Sequence, residues 1–219
     1  MIKPRIAVCF AGLPRLTAAT ETTWKRFIER YDADVFVHTW ISSLSERSSV
    51  NERICNALHP RQIMTESVRT FNTARFNERI WPHRSQPGNV LSMWYSISES
   101  MRLCREYDTS YDVICRARFD WWCPDLEIEL SDGLTVPDDP GLSGHHFTYK
   151  GQPFVGHNDQ FGYGSPEIMD IYSSTFDRIP WLYSDDGVDF CSELFLTANM
   201  ISAGIRVNHQ KNLTYRILR

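Results

Sequence analysis

The sequence predicts an α/β fold: a mixed, mostly parallel sheet flanked by helices. Three observations carry this. The apolar run at residues 6–10 (IAVCF) stops at Ala11-Gly12-Leu13-Pro14-Arg15, as a buried strand does at a Gly/Pro turn. Residues 17–31 set Thr20, Trp24, Phe27, Ile28 and Tyr31 at helical spacing. Residues 33–40 (ADVFVHTW) form a second apolar run, and strand, helix and strand within about 35 residues make a right-handed βαβ unit.

The remaining elements follow in order. Residues 42–49 are polar and Ser-rich; a short helix is predicted over 50–58 and a strand over 62–65. Residues 81–89 (WPHRSQPGN) read as loop by their prolines and glycine, and both this stretch and 42–49 are candidate lids. Asn89 is placed to cap a long helix reaching Tyr107, with Val90, Trp94, Ile97, Met101 and Cys104 in one stripe. Residues 111–118 (YDVICRAR) read as a central strand. Short strands are predicted at 134–136 and 146–149, separated by a turn at 137–141. Helices follow at 166–174 and 190–203, then a segment at 206–209 and a basic tail from Lys211.

The chain has 219 residues, which fits one domain with a substantial core. Its 42% hydrophobic and 23% charged residues are ordinary for a globular protein and exclude a disordered chain. The formal charge of −4 and the lack of extended Lys/Arg runs argue against a nucleic-acid partner. Six scattered cysteines without a C-x-x-C pair read as reduced core thiols. The opening MIKPRIAVCF lacks the apolar region of a signal peptide, and no run is long enough for a membrane helix. The expectation is a cytoplasmic protein with no transmembrane segment, in which the triplet Asn212-Leu213-Thr214 occurs by chance.

Ligands of open α/β sheets bind at the carboxyl ends of strands, so the residues there carry the chemistry. In the turn after the first strand, Ala11 and Gly12 let the backbone approach a ligand, Pro14 stiffens the loop, and Arg15 offers a fork for phosphate or ribose oxygens. The same turn also reads as a surface loop with a solvated arginine. The central strand runs into Arg116, Arg118 and Asp120, charges that are costly at a sheet rim unless paired or bound. Asp120 can hold a hard divalent cation, and Arg118 can neutralise phosphate. An internal Arg118–Asp120 or Arg116–Asp125 ion pair is the alternative. His38 and Trp40 end the second strand, either near a stacked base or in the core. Trp121 and Trp122 suit a sugar wall or a buried lining.

IAVCFAGLPR, YDADVFVHTW, RARFD, NDQFGYGSPEIMD and SELFLTANMISAGI, in this order over residues 6–207, resemble the small GT-A-type glycosyltransferases and glycosyltransferase-like proteins of large DNA viruses and bacterial surface-polysaccharide loci. The resemblance implies a single GT-A-like, Rossmann-like domain over 1–219, with a nucleotide-binding half at 1–120 and an acceptor-side half at 121–219. It implies a UDP- or GDP-sugar donor, a glycan acceptor, and Mn²⁺ or Mg²⁺ held by a D-x-D motif ending a central strand. Arg118-Phe119-Asp120 has arginine where the first aspartate of that motif stands. Asp120 with His209, near the C-terminus, is then the candidate metal pair.

Asn158 and Asp159 precede what reads as a Gly-rich turn and a Ser165-Pro166 helix start. Asp159 is placed to bind donor hydroxyls, accept a proton, or merely cap the turn. Glu193, preceded by Asp185, Asp186 and Asp189, is the leading candidate base for an inverting transfer, unless it serves only the helix N-terminus. A catalytically inactive nucleotide-sugar or glycan-binding domain is the competing reading. Phosphotransferases are disfavoured, since neither G-x-x-x-x-G-K-[ST] nor a kinase-like glycine loop is present.

Overall fold

The computed structural model describes residues 3–76, 78–80, 86–107, 110–138, 146–211 and 213–218. In chain order the elements are β1 (Ile6–Gly12), α1 (Ala18–Tyr31), β2 (Asp34–Ile41), α2 (Arg47–Leu58), β3 (Gln62–Ser67), α3 (Pro87–Glu106), β4 (Val113–Ala117), β5 (Trp121–Trp122) and β6 (Leu134–Pro137). There follow β7 (His146–Tyr149), β8 (Gln152–Val155), β9 (Gly162–Gly164), α4 (Pro166–Ser173), α5 (Thr175–Ser184), α6 (Ser192–Ser202), β10 (Val207–Gln210) and β11 (Arg216–Ile217).

Seven strands form one sheet in the order β10-β6-β9-β4-β1-β2-β3. Strands β3, β2, β1 and β4 run parallel, as do β6 and β10, and β9 alone is reversed between β4 and β6. The fold is therefore α/β with a mixed, mostly parallel sheet flanked by helices, compatible with a Rossmann-like arrangement.

Strand β1 is apolar throughout because both its faces are covered. Ile6, Val8 and Phe10 pack with Trp24 and Phe27 of α1 and Ile54 and Leu58 of α2. Ala7, Cys9 and Ala11 face the opposite core, with Trp94 and Ile97 of α3 and residues of α4, α5 and α6. Trp24, fully buried, meets Phe10, Phe27, Trp121 and Phe161 at ring separations of 4.9 to 6.2 Å. Trp121 is thus core, and does not wall a sugar site.

Helix α1 matches its prediction closely: Thr17 forms a capping box with Thr20, and Asp32 closes the helix in the left-handed region at φ 51°. Other expectations change. Helix α3 begins at Pro87, not after an Asn89 cap, because a proline with no N–H to satisfy and a preset φ already suits the first helical position. The Ser-rich stretch 42–49 runs through a short 3₁₀ turn, Leu44–Glu46, straight into α2. Helix α5 was not foreseen; Pro180 lies inside it and reads in sequence as a breaker. Cys55 is exposed, while the other five cysteines are buried free thiols. Residues 81–85 of the expected loop, 139–141 of the expected turn, and Asn212 lie outside the described residues. No helix among those described is long and apolar enough to cross a membrane.

The largest departure concerns the expected Gly-rich turn after Asp159, which is the strand β9. Its last residue, Gly164, is there for space. A Cβ at Gly164 would stand 3.0 Å from Ile168 Cγ2 and 3.3 Å from the Gly133 carbonyl oxygen. Gly164→Val therefore overpacks the sheet, with an expected loss of about 2 kcal/mol read as a lower urea midpoint at unchanged slope. An unchanged midpoint would contradict the placement of β9 between β4 and β6.

Candidate functional site

The carboxyl ends of β1, β2, β3, β4, β6 and β10 share one rim of the sheet, and the reversed direction of β9 brings the residues before it to the same rim. Arg116 pairs with Gly162 across β4 and β9, so the segment that follows β4 and the segment that precedes β9 leave the ladder side by side. Two loops distant in sequence, 118–120 and 157–161, are thereby neighbours.

Arg116 is fully buried. One of its terminal nitrogens donates to the Gln160 carbonyl, whereas Nε and Nη2 have no hydrogen-bond partner among the described residues. Burial pulls its pKa down, against the favourable charges of Tyr172, Asp159 and Asp120, yet a guanidinium stays protonated at neutral pH. Beside it Arg118 grips Asp120 at two points: Nε to Oδ1 at 2.8 Å and Nη2 to Oδ2 at 2.9 Å. Burial opposes the charged form of Arg118, but its bonds to Asp120, the charge there and that of Asp159 outweigh it and hold the pKa above the usual value. The Asp120 side chain is only 5% exposed and that of Arg118 is 22% exposed. Of the two internal pairs weighed from sequence, Arg118–Asp120 is present. The pair is open to solvent on the arginine side.

Asp159 is buried close to both arginines, and its main-chain carbonyl accepts from Tyr172 Oη at 3.2 Å. Asn158 is fixed on both sides: its Oδ1 accepts from Gln160 N–H at 2.8 Å and its Nδ2 donates to Tyr215 Oη at 2.6 Å. The cluster therefore sets two guanidiniums against two carboxylates.

At the end of β1, Gly12 adopts φ 111°, a conformation that disfavours any side chain although the space is open. Its N–H donates to Ser96 Oγ at 2.8 Å and its carbonyl accepts from Thr39 Oγ1 at 2.9 Å, so this amide is already engaged within the protein. Ala11 is buried, Pro14 accepts from Arg53 of α2 through its carbonyl, and Arg15 projects into solvent. His38, expected to contact the donor, is fully buried with both ring nitrogens engaged within the protein: its Nδ1 lies 2.7 Å from Ser96 Oγ and its Nε2 2.9 Å from Glu66 Oε2. Burial lowers its pKa in spite of Glu66. A neutral His38 donating to Glu66 and accepting from Ser96 completes a chain that holds Gly12 in place. His38 is thus a positioning residue for the β1 turn.

Glu193 sits in the first turn of α6 and accepts from Cys191 Sγ at 3.0 Å. One turn on, Thr197 Oγ1 accepts from His157 N–H at 2.7 Å, which ties α6 to the 157–161 loop. His209, on the edge strand β10, is exposed and its ring lies 5.2 Å from that of His157. Burial, with the neighbouring His209, pushes the His157 pKa down to about 4.

Local charge opposes the expected cation pair of Asp120 and His209. Each Asp120 oxygen already accepts from Arg118, and a cation bound there would stand about 4 Å from the guanidinium. At that distance repulsion is about 4 kcal/mol per unit of charge at a protein-surface dielectric. His209 has His157 as its ring neighbour, and no group of three or more His, Cys, Asp and Glu among the described residues suits a metal. The residues present do not fit Mn²⁺ or Mg²⁺.

The sequence reading missed Ser96, Glu66, His157, Gln160 and Tyr215. Only His157 and Gln160, which flank Asn158-Asp159, carried a signal along the chain. A concavity of about 320 Å³ lies between α1 and α2, lined by Glu21, Ser49, Glu52, Arg53, Asn56 and Ala57. Through Arg53 it adjoins the β1 turn, but it includes none of the arginine–aspartate cluster. Compared with protein-family models the chain matches none, and no curated protein is significantly similar to it.

A histidine whose native pKa lies below its unfolded value of 6.5 supports the fold while neutral, and that support is lost as pH falls below 6.5. We expect stability to fall between pH 6.5 and about 4, by at most about 1.4 kcal/mol per pH unit for each such proton. His157→Gln should flatten this dependence in denaturant titrations at several pH values; an identical slope in the variant would contradict the buried neutral state of His157.

Proposed function

We propose that the protein transfers a glycosyl group from a nucleoside-diphosphate sugar to a hydroxyl of a glycan acceptor. The observation that supports this reading best is the Arg116, Arg118, Asp120 and Asp159 cluster at the carboxyl rim of a mostly parallel sheet, where open α/β sheets bind their ligands. The bond between the anomeric carbon and the diphosphate oxygen breaks as negative charge grows on the leaving group. Fixed guanidinium donors at that position favour the transition state over the ground state.

In an inverting transfer the acceptor oxygen attacks the anomeric carbon from the opposite face, and its proton passes to a carboxylate. Two carboxylates remain candidates for that base. Asp159 lies within the charge field of both arginines, and Glu193 starts the helix that Thr197 ties to the 157–161 loop. The second reading, a catalytically inactive nucleotide-sugar or glycan-binding domain, draws support from the closed Arg118–Asp120 pair.

Thermal-shift binding and turnover measured over UDP- and GDP-sugars test these readings together. Donor binding raises the melting temperature by mass action. Turnover should fall by about a hundred- to ten-thousand-fold in Asp159→Asn or Glu193→Gln, whichever removes the base, with donor binding retained. Binding without turnover selects the inactive domain, and failure of every donor to bind removes both.

A further inference from the structure

We infer that Arg118 is the site's resident cation, contacting the donor diphosphate directly, so that nucleoside diphosphates bind without a divalent metal ion. The inference rests on the transferase reading above and goes beyond it by excluding the metal that the resemblance implies.

The geometry carries it. A guanidinium presents five N–H donors in a rigid plane. Arg118 spends Nε–H and one Nη2–H on the two oxygens of Asp120, at 2.8 and 2.9 Å. No acceptor among the described residues engages Nη1, and the side chain keeps part of its surface in solvent. The two-point grip on a carboxylate that is itself buried fixes the plane, so the free edge needs no reorganisation to meet a phosphate. Arg116, also at this rim, has Nε and Nη2 without a hydrogen-bond partner among the described residues.

The charge sum points the same way. Two guanidiniums against Asp120 and Asp159 supply the same formal charge that one divalent ion on two carboxylates would. The protein therefore already contains the positive charge that a metal-bridged diphosphate site takes from solution. An ion added to Asp120 would stand beside the Arg118 guanidinium and compete with it for the same two oxygens.

The test uses UDP and GDP as probes, titrated calorimetrically into the intact protein in EDTA and again with Mn²⁺. The expected result for the wild type is the same Kd, within about twofold, in both conditions. In EDTA, Arg118→Ala should weaken binding by about tenfold or more, and Arg118→Gln, which keeps much of the packing, should do so too. Circular dichroism confirms that each variant is folded. Electron paramagnetic resonance of Mn²⁺ without nucleotide gives a second readout. Free wild-type protein should leave the Mn²⁺ signal unchanged, whereas Arg118→Asp, which adds a carboxylate beside Asp120, should bind the ion.

Wild-type binding that strengthens about tenfold or more on adding Mn²⁺ would overturn the inference while leaving the transferase reading intact. So would full affinity in both Arg118→Ala and Arg118→Gln. Failure of UDP and GDP to bind in either condition would overturn the transferase reading, and this inference with it.

Discussion

A guanidinium enclosed at the middle of a sheet is the constraint to which the site answers. Arg116 cannot shed its proton, and an isolated buried charge is costly, so the surrounding backbone must supply acceptors and counter-charge. The reversed strand β9 provides both. It turns the Gln160 carbonyl toward Arg116 and carries Asp159 into range of both arginines. Gly164 of β9 permits this, because a Cβ there would meet Ile168 and the Gly133 carbonyl. Packing in the sheet and electrostatics at its rim are thus set by the same three-residue strand.

A second network fixes the neighbouring turn. Glu66, His38 and Ser96 belong to β3, β2 and α3, and together they hold the Gly12 amide. Arg69 bonds to Glu66 and lies 4.6 Å from the Tyr95 ring centroid, so the chain extends to the protein surface. Such a relay gives the β1 turn a definite shape without any contact between His38 and a ligand.

The parallel half of the fold was legible because β1, α1 and β2 signal through purely local patterns: apolar runs and helical spacing. Strand β9 was not legible, since two glycines in a three-residue strand look like a turn until the neighbours that exclude a Cβ are known. Helix α5 was hidden by Pro180, whose penalty is overridden by tertiary burial of Ile179 and Leu182. In the site, Arg116, Arg118 and Asp120 stood out as charges at a strand end and Asp159 as a loop carboxylate, and the structure does bring them together. What sequence spacing could not decide was the pairing among them. It also could not show that His38 would be spent on Ser96 and Glu66, partners 58 and 28 residues away. Long-range partners of that kind leave no periodic trace.

On the proposed reading, the rim of β4 is a rigid, charge-balanced surface that offers guanidinium donors to a diphosphate. The most direct test is a crystal structure of the protein with a UDP- or GDP-sugar grown in the presence of EDTA. The account predicts diphosphate oxygens within hydrogen-bonding reach of Arg118 Nη1, with the Arg118–Asp120 pair intact. A donor seated elsewhere on the molecule, or an Arg118 side chain swung away from Asp120 to admit a metal ion, would contradict it.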